Sequence, residues 1–324
     1  MSIFLVDEYK DMEPYVPGEQ PKDKPYIKLN ANETSMPPSP KVFEAISKAE
    51  IWNMSYYADP HCHEFRRAVA EVYGVTEDEV FVGNGADEVL SFVLMSFFRR
   101  GMKIYFPDIT YGFYRTYAKT YGLDMEEIPV KDDFSIDIND YMNLEGDIIF
   151  ANPNNPTGYL ADSTFMKQII GHCKEKHIYV VVDECFMGFC EKNYSVLSLL
   201  CDYDNLIVVR AFTKLFAIPG VRLGYMLSKN EAVRQKVQRN LPEWNVSVLA
   251  QMAGEACIRE SEYIKETASY VSRQRRLMSD GLKKLGFKVY KSDADFILFY
   301  SKLPLYDILL NKGILIRDCS NYVG

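Results

Sequence analysis

The sequence predicts an α/β protein, in which helices cover both faces of a large, mainly parallel sheet, with a smaller α+β domain beside it. Three observations lead to this prediction. Short apolar runs without polar alternation recur along residues 79–210, as expected of strands that are buried on both faces. Helical patterns separate these runs, which is typical of parallel sheets. The last segment, residues 284–324, combines short strand patterns with one helix.

Length and composition fit an ordinary globular protein. The chain has 324 residues, of which 48% are hydrophobic and 25% are charged. Its net charge of -8 argues against a nucleic-acid partner, and no apolar run is long enough to span a membrane. The 7 cysteines lack regular spacing and predict reduced thiols in a cytoplasmic protein. No metal site is predicted, since His61, Cys62 and His63 lie in a loop without a partner cluster.

The elements can be predicted in chain order. Residues 1–39 are polar and rich in proline, which favours an extended arm over a packed element. Two helices come next, over residues 41–49 and 64–72. Strands are then predicted over residues 80–82, 103–106, 147–151, 178–182 and 205–210, with helices that end near residues 98, 121 and 176. The remaining chain is predicted to contain a helical region over 244–283, strands over 288–291, 295–300 and 314–317, and a helix over 305–310.

These elements predict three parts. Residues 45–243 form a large domain, and residues 244–283 form a long helical connector. Residues 1–44 and 284–324 together form the N-terminal arm and the small α+β domain.

A lysine lies in the otherwise apolar stretch 207–225, which opens as a buried strand and continues as a loop. Poor solvation of Lys214 favours a neutral amine, which can attack an aldehyde and form a Schiff base. Thr213 and Arg222 could supply a hydroxyl group and a cation for a phosphate. An aldehyde joined to a phosphate describes pyridoxal phosphate. An ordinary surface loop beside a core strand accounts for these residues equally well.

Other polar residues follow the predicted strands, where sites in parallel sheets lie. Asp183 ends a buried strand and needs a partner, for which a protonated pyridine nitrogen is suited. The loop 152–158 presents Asn155, whose amide can bind a phenolate-like oxygen, and Tyr111 could stack on a flat ring. A salt-bridged aspartate, a simple β-turn and a core tyrosine are the structural alternatives.

A glycine-containing turn at residues 83–88 opens a helix and places Ala86 and Asp87 at its start. Free backbone amides at such a junction bind phosphate well, although many such turns bind nothing. Tyr57 lies outside the predicted sheet, so we expect it to reach the site of a neighbouring subunit.

Together these motifs resemble fold-type I, pyridoxal-phosphate-dependent aminotransferases, and more narrowly the histidinol-phosphate aminotransferase family. The resemblance extends over nearly the whole chain. The segments that carry it are 14–21, 28–33, 38–40, 57–60, 83–88, 152–158, 183–184, 213–214 and 220–224.

The resemblance implies a role for each candidate. Lys214 would bind the cofactor covalently and carry a proton. The remaining ring contacts would come from Asp183 at the pyridine nitrogen, Asn155 at the ring oxygen and Tyr111 on the ring face. The phosphate contacts would come from Ala86, Asp87, Thr213 and Arg222, with Tyr57 reaching across a dimer interface. Tyr15 and Arg317 would hold the substrate's anionic groups. The implied reaction transfers an amino group between L-histidinol phosphate and 2-oxoglutarate, in a homodimer.

Some residues depart from the family pattern. Phe186 stands where many relatives carry tyrosine, and Ala211 where many carry a hydroxyl residue. A further substrate-binding arginine is expected beyond residue 324. The phenylalanine and the segments 212–220 and 316–321 also resemble threonine-phosphate decarboxylase, which is one alternative. An aromatic amino acid aminotransferase and a cofactor-binding homologue without turnover are others, and the N-terminal arm favours the aminotransferase of histidinol phosphate.

Overall fold

The computed structural model describes residues 18–50, 54–97 and 100–322. Its centre is a seven-stranded sheet with the order β2-β8-β7-β6-β5-β3-β4. Strand β8 runs antiparallel to its neighbours β2 and β7, and the other pairs in the sheet are parallel. The strands of this sheet are β2 (Val80–Gly83), β3 (Lys103–Pro107), β4 (Asp124–Ile128), β5 (Asp147–Ala151), β6 (Val180–Asp183), β7 (Leu206–Ala211) and β8 (Gly224–Leu227).

Helices pack around this sheet and continue into the C-terminal part of the chain. They are α1 (Pro40–Ser47), α2 (His63–Tyr73), α3 (Ala86–Phe97), α4 (Phe113–Thr120), α5 (Ser163–Glu175), α6 (Glu231–Asn240), α7 (Val248–Ile258), α8 (Ser261–Lys284) and α9 (Leu305–Asn311). Among the described residues, no helix is both long and apolar enough to cross a membrane.

Successive side chains of the central strands point into two separate hydrophobic clusters, one on each face of the sheet. In β6, Val180 and Val182 belong to one cluster, and Val181 belongs to the other. Both faces are therefore buried, which explains why the strands lack polar alternation in the sequence. The prediction of a mainly parallel sheet covered on both faces is confirmed.

Two strands of the sheet were absent from the sequence prediction. One is β4, whose residues are mostly exposed and polar. The other is β8, which starts at Gly224, beside Gly83 of β2 and Ala211 of β7. A Cβ atom at Gly224 would lie 2.5 Å from the carbonyl carbon of Gly85, so this close approach of two backbones requires glycine.

The C-terminal part of the chain forms two small sheets with α8 and α9. Strand β1 (Ile27–Leu29) of the N-terminal arm pairs with β11 (Ile314–Ile316) in parallel, and β9 (Lys288–Val289) pairs with β10 (Phe299–Tyr300) in antiparallel fashion. The predicted strand over 295–300 is therefore mostly wrong, because only its last two residues pair. The helical region over 244–283 is two helices, and Ser247 caps the first.

Candidate active site

The candidate residues collect at one edge of the central sheet. Because the six mutually parallel strands end at the same edge, the loops that follow β2, β3, β5, β6 and β7 meet there. The antiparallel strand β8 begins at this edge, so the loop between β7 and β8 also lies there. That loop carries Thr213, Lys214 and Arg222.

Lys214 is half-buried and lies between the N-terminal arm and the sheet. Its Nζ donates a hydrogen bond to the carbonyl oxygen of Ala31, at 2.9 Å. The same Nζ is 5.8 Å from the centre of the Phe186 ring. Leu215 and Phe216, which follow it, are buried and anchor the loop in the core. The apolar neighbours in the sequence thus hold the lysine in place while its amine stays at the edge of the sheet.

Asp183 is buried at the last position of β6. Its carboxylate accepts hydrogen bonds from the Tyr114 hydroxyl, at 3.1 Å, and from the backbone N–H of Cys185, at 3.0 Å. Burial raises the pKa of Asp183, and these hydrogen bonds oppose that rise. Within the described ranges no cation pairs with this carboxylate, so a positively charged ring nitrogen would complete its environment.

The turn between β2 and α3 forms a cradle for an anion. Helix α3 begins at Ala86, and its free N–H groups and dipole favour negative charge there. Arg222 lies beside this turn, with its Nη2 atom 4.0 Å from a carboxylate oxygen of Asp87. A Cβ atom at Gly85 would lie 2.6 Å from the same Nη2 atom, so the turn and the guanidinium group are closely apposed. Thr213 is half-buried on the neighbouring loop.

Tyr111 follows β3 and contacts this cradle through a hydrogen bond. Its hydroxyl group donates a hydrogen bond to Asp87, at 3.0 Å. Its ring stacks on Phe113 with a centroid distance of 6.0 Å, and meets Tyr114 edge-on. The tyrosine thus connects the anion cradle with the residue that donates to Asp183.

The loop 152–158 is held by one buried asparagine and presents another. Asn154 accepts a hydrogen bond from Thr110 and donates to the Ile109 carbonyl oxygen, both at 2.7 Å. Asn155, in contrast, is half-buried, and its side chain makes no hydrogen bond within the described part of the chain. Its amide is therefore available for a ligand. The bonds Asn152–Pro153 and Asn155–Pro156 are both cis.

The remaining candidates lie on other segments of the chain. Tyr57 is 78% exposed, and its ring stacks on Trp244 with a centroid distance of 4.4 Å. Arg317 follows β11, outside the central sheet. Tyr15 lies outside the described residues.

The sequence did not identify three residues that contact the candidates. They are Tyr114, which donates to Asp183, Ala31, which accepts from Lys214, and Trp244, which stacks on Tyr57. Tyr114 lies three residues after Tyr111, at the start of α4, and this proximity in the sequence was a possible signal. The other two contacts join segments that are distant in the sequence.

Comparisons with known proteins identify the family. The family model described as aminotransferase class I and II matches residues 24–323. A histidinol-phosphate aminotransferase from Brachyspira hyodysenteriae is 40% identical over 323 residues, which is 98% of this chain and 90% of that protein. One from Clostridium acetobutylicum is 38% identical, again over 98% of this chain and 91% of its own length.

Solved structures show the same fold. The crystal structure of a histidinol-phosphate aminotransferase from Clostridium acetobutylicum matches with a TM-score of 0.86 and 27% identity, over 92% of this chain and 91% of that one. A structure from Sinorhizobium meliloti, in complex with pyridoxal-5'-phosphate, matches with a TM-score of 0.84 and 23% identity, over 91% and 83% of the two chains. The chain therefore belongs to the class I and II aminotransferases, a family of pyridoxal-phosphate-dependent enzymes.

Proposed function

We propose that this protein is a histidinol-phosphate aminotransferase of histidine biosynthesis, which transfers an amino group between L-histidinol phosphate and 2-oxoglutarate. The observation that carries this proposal is the arrangement of Lys214, Asp183 and Arg222 at one edge of the sheet. The choice of substrate rests on relatives of that name, which are 35% to 40% identical over nearly the whole chain.

The residues present fit pyridoxal phosphate. Among the described residues, no cation pairs with the buried Asp183, which suits the ring nitrogen, and the Asn155 amide makes no hydrogen bond, which suits the ring oxygen. The N-terminus of α3, with Ala86 and Asp87, suits the phosphate. Thr213 and Arg222 would add a hydroxyl group and a cation to it, and Tyr111 would lie against the ring. When bound, pyridoxal phosphate supplies an electron sink that stabilises negative charge at the substrate Cα atom.

The chain itself supplies orientation and proton transfer. The carboxylate of Asp183 would keep the ring nitrogen of a bound cofactor protonated, and burial of this carboxylate would strengthen their interaction. The Nζ atom of Lys214 would accept the proton from the substrate Cα atom, since the loop between β7 and β8 holds this amine at the same edge of the sheet as Asp183. Tyr15 and Arg317 would bind the substrate phosphate or carboxylate.

Threonine-phosphate decarboxylase-like activity is the second candidate. Phe186 favours it, because the family of aminotransferases often has a tyrosine at this position. The two activities share the cofactor and differ in the Cα bond that is aligned for cleavage. An aromatic amino acid aminotransferase would share the entire site.

An assay of the purified, cofactor-loaded protein tests the proposal. We expect L-histidinol phosphate and 2-oxoglutarate to yield glutamate, and Lys214→Ala to abolish this activity. Release of carbon dioxide from threonine phosphate without glutamate formation would support the decarboxylase instead. Glutamate formation from aromatic amino acids, but not from L-histidinol phosphate, would support the aromatic aminotransferase.

The same proposal includes a homodimer in the cytoplasm. The exposed Tyr57–Trp244 stack offers an apolar surface that a second copy could cover, and Tyr57 would then reach the partner's cofactor. The cysteines within the described ranges are free thiols, which agrees with a reducing compartment. The net charge of -8 does not favour nucleic acid as a partner.

A further inference from the structure

Tyr114 is a buried tyrosine whose hydroxyl group contacts Asp183. The hydroxyl donates a hydrogen bond to the Oδ2 atom of Asp183 at 3.1 Å, and it makes no other hydrogen bond among the described residues. Only 1% of the surface of Tyr114 is exposed, against 8% for Asp183 at the end of β6. Tyr114 is thus placed to act on a ligand through Asp183 and not by direct contact.

The position of Tyr114 is fixed by its neighbours. It lies in the first turn of α4, where its backbone N–H donates to the carbonyl oxygen of Tyr111 at 3.1 Å. Its ring packs against Phe106, with a centroid distance of 6.0 Å, and meets Tyr111 edge-on at 5.6 Å. A buried tyrosine normally finds a partner for its hydroxyl group. A purely structural role, in which Asp183 merely satisfies that hydroxyl, is therefore the alternative to be tested.

The carboxylate of Asp183 has one hydrogen bond on each oxygen. Tyr114 donates to Oδ2, and the backbone N–H of Cys185 donates to Oδ1 at 3.0 Å. A carboxylate oxygen can accept more than one hydrogen bond, so the carboxylate can still accept one from a ring N–H group. Both donors favour the ionised carboxylate over the neutral acid.

The surroundings of Asp183 act on its ionisation in opposite directions. The titratable groups that face it are Tyr114 on α4, Cys185 on the loop after β6 and Asp87 on α3. Burial raises the pKa of Asp183 and the charge of Asp87 adds to this rise, whereas the hydrogen bonds from Cys185 and Tyr114 lower it. Burial also raises the pKa of Tyr114 well above its usual value, so its hydroxyl group keeps its proton and remains a donor near neutral pH.

We propose that Tyr114 is a positioning residue that keeps Asp183 ionised, so that the proton between Asp183 and a bound cofactor resides on the ring nitrogen. This inference rests on the part of the proposed function that pairs Asp183 with the ring nitrogen, and it holds for any substrate. A ring with a protonated nitrogen is the better electron sink. Loss of the hydrogen bond from Tyr114 should move this proton toward the carboxylate about tenfold.

Two phenylalanine variants separate this role from a structural one. Tyr114→Phe removes the hydroxyl group beside Asp183. Tyr225→Phe is the matched control, because Tyr225 on β8 is also 1% exposed and its hydroxyl group donates to the Tyr73 hydroxyl at 3.0 Å. Each variant thus loses one buried hydroxyl group and one hydrogen bond. Phenylalanine fills the same space in both, so we expect both to fold.

Nitrogen NMR of the loaded protein tests the inference without turnover. The probe is pyridoxal phosphate labelled with nitrogen-15 in the ring, whose chemical shift distinguishes a protonated from an unprotonated nitrogen. We expect a protonated ring in wild type and in Tyr225→Phe. In Tyr114→Phe the ratio of protonated to unprotonated nitrogen should fall about tenfold. An unchanged signal in Tyr114→Phe would overturn the inference and leave the proposed function intact, whereas an unprotonated ring in wild type would contradict the pairing on which both rest.

Kinetics and cofactor titration provide a second readout. In Tyr114→Phe, kcat should fall about tenfold, while KM and the affinity for pyridoxal phosphate stay within about threefold of wild type, because the hydroxyl group touches neither ligand. Tyr225→Phe should change none of the three by more than about threefold. A similar loss of cofactor affinity and kcat in both variants would show a structural role for Tyr114 and overturn the inference.

Discussion

At the scale of single residues, two buried aspartates of the sheet have similar environments but opposite positions. Asp183 ends β6 at the edge where the site loops meet, whereas Asp147 begins β5 at the other edge. Burial raises the pKa of Asp147 to about 6, and its carboxylate accepts a hydrogen bond from the backbone N–H of Tyr179. Position in the sheet, and not burial alone, therefore distinguishes a candidate for cofactor binding.

This contrast gives a prediction for Asp183→Asn. Loss of one partner from a buried charge pair costs about 3–5 kcal/mol, so turnover should fall roughly 100-fold or more. Asp147→Asn removes a comparable carboxylate and should leave turnover within about threefold of wild type. The measurement is the steady-state turnover of both variants and of wild type, after saturation with cofactor. Equal losses in both would show that Asp183 has no special role.

At the scale of elements, two adjacent residues of the loop 152–158 have different roles: one holds the loop in place and the other is available to bind a ligand. Asn154 joins this loop to the loop after β3 through buried hydrogen bonds. Asn155 follows β5 at the same edge, and its amide makes no hydrogen bond within the described residues. Asn154 thus holds the loop in place, and Asn155 supplies the amide that could bind the cofactor.

Alanine variants of these two asparagines should behave differently. Asn154→Ala leaves the Thr110 hydroxyl and the Ile109 carbonyl without their partner, so the free energy of unfolding should fall by about 1–3 kcal/mol. Asn155→Ala should change it by less than about 0.5 kcal/mol and should weaken cofactor binding instead. Urea unfolding of the cofactor-free proteins and titration with pyridoxal phosphate distinguish the two effects. The distinction fails if Asn155→Ala is the less stable variant.

Sequence reasoning predicted the strands that are apolar on both faces, because burial alone gives them a recognisable pattern. It missed β8, since Gly-Tyr-Met-Leu is short and its first residue, Gly224, packs closely against Gly85, which is distant in the sequence. The placement of Asp183 and Lys214 at one edge followed from the parallel strands. The hydrogen bond from Lys214 to Ala31 could not be predicted, because it depends on packing between distant segments.

At the scale of the whole molecule, the proposed dimer would build each site from two chains. Tyr57 and Trp244 form an exposed stack. A second chain could bring Tyr57 to the anion cradle of its partner. The limits proposed for the large domain, residues 45–243, the connector, 244–283, and the small domain remain predictions.

Subunit exchange tests the shared site. Lys214→Ala and Tyr57→Ala should each be impaired as homodimers. A mixed dimer would contain one intact site, which combines Lys214 of one chain with Tyr57 of the other. An equal mixture should therefore recover up to about a quarter of wild-type activity, since half of the dimers are mixed and each has one intact site. No recovery after verified exchange would place Tyr57 in the site of its own chain or outside it.

The central claim is that Lys214 binds the cofactor. The most direct measurement is borohydride reduction of the cofactor-loaded protein, followed by peptide mass spectrometry. We expect the reduced pyridoxal phosphate adduct on Lys214, with none in Lys214→Ala. An adduct on another lysine in the wild-type protein, or an equal yield in Lys214→Ala, would contradict the claim.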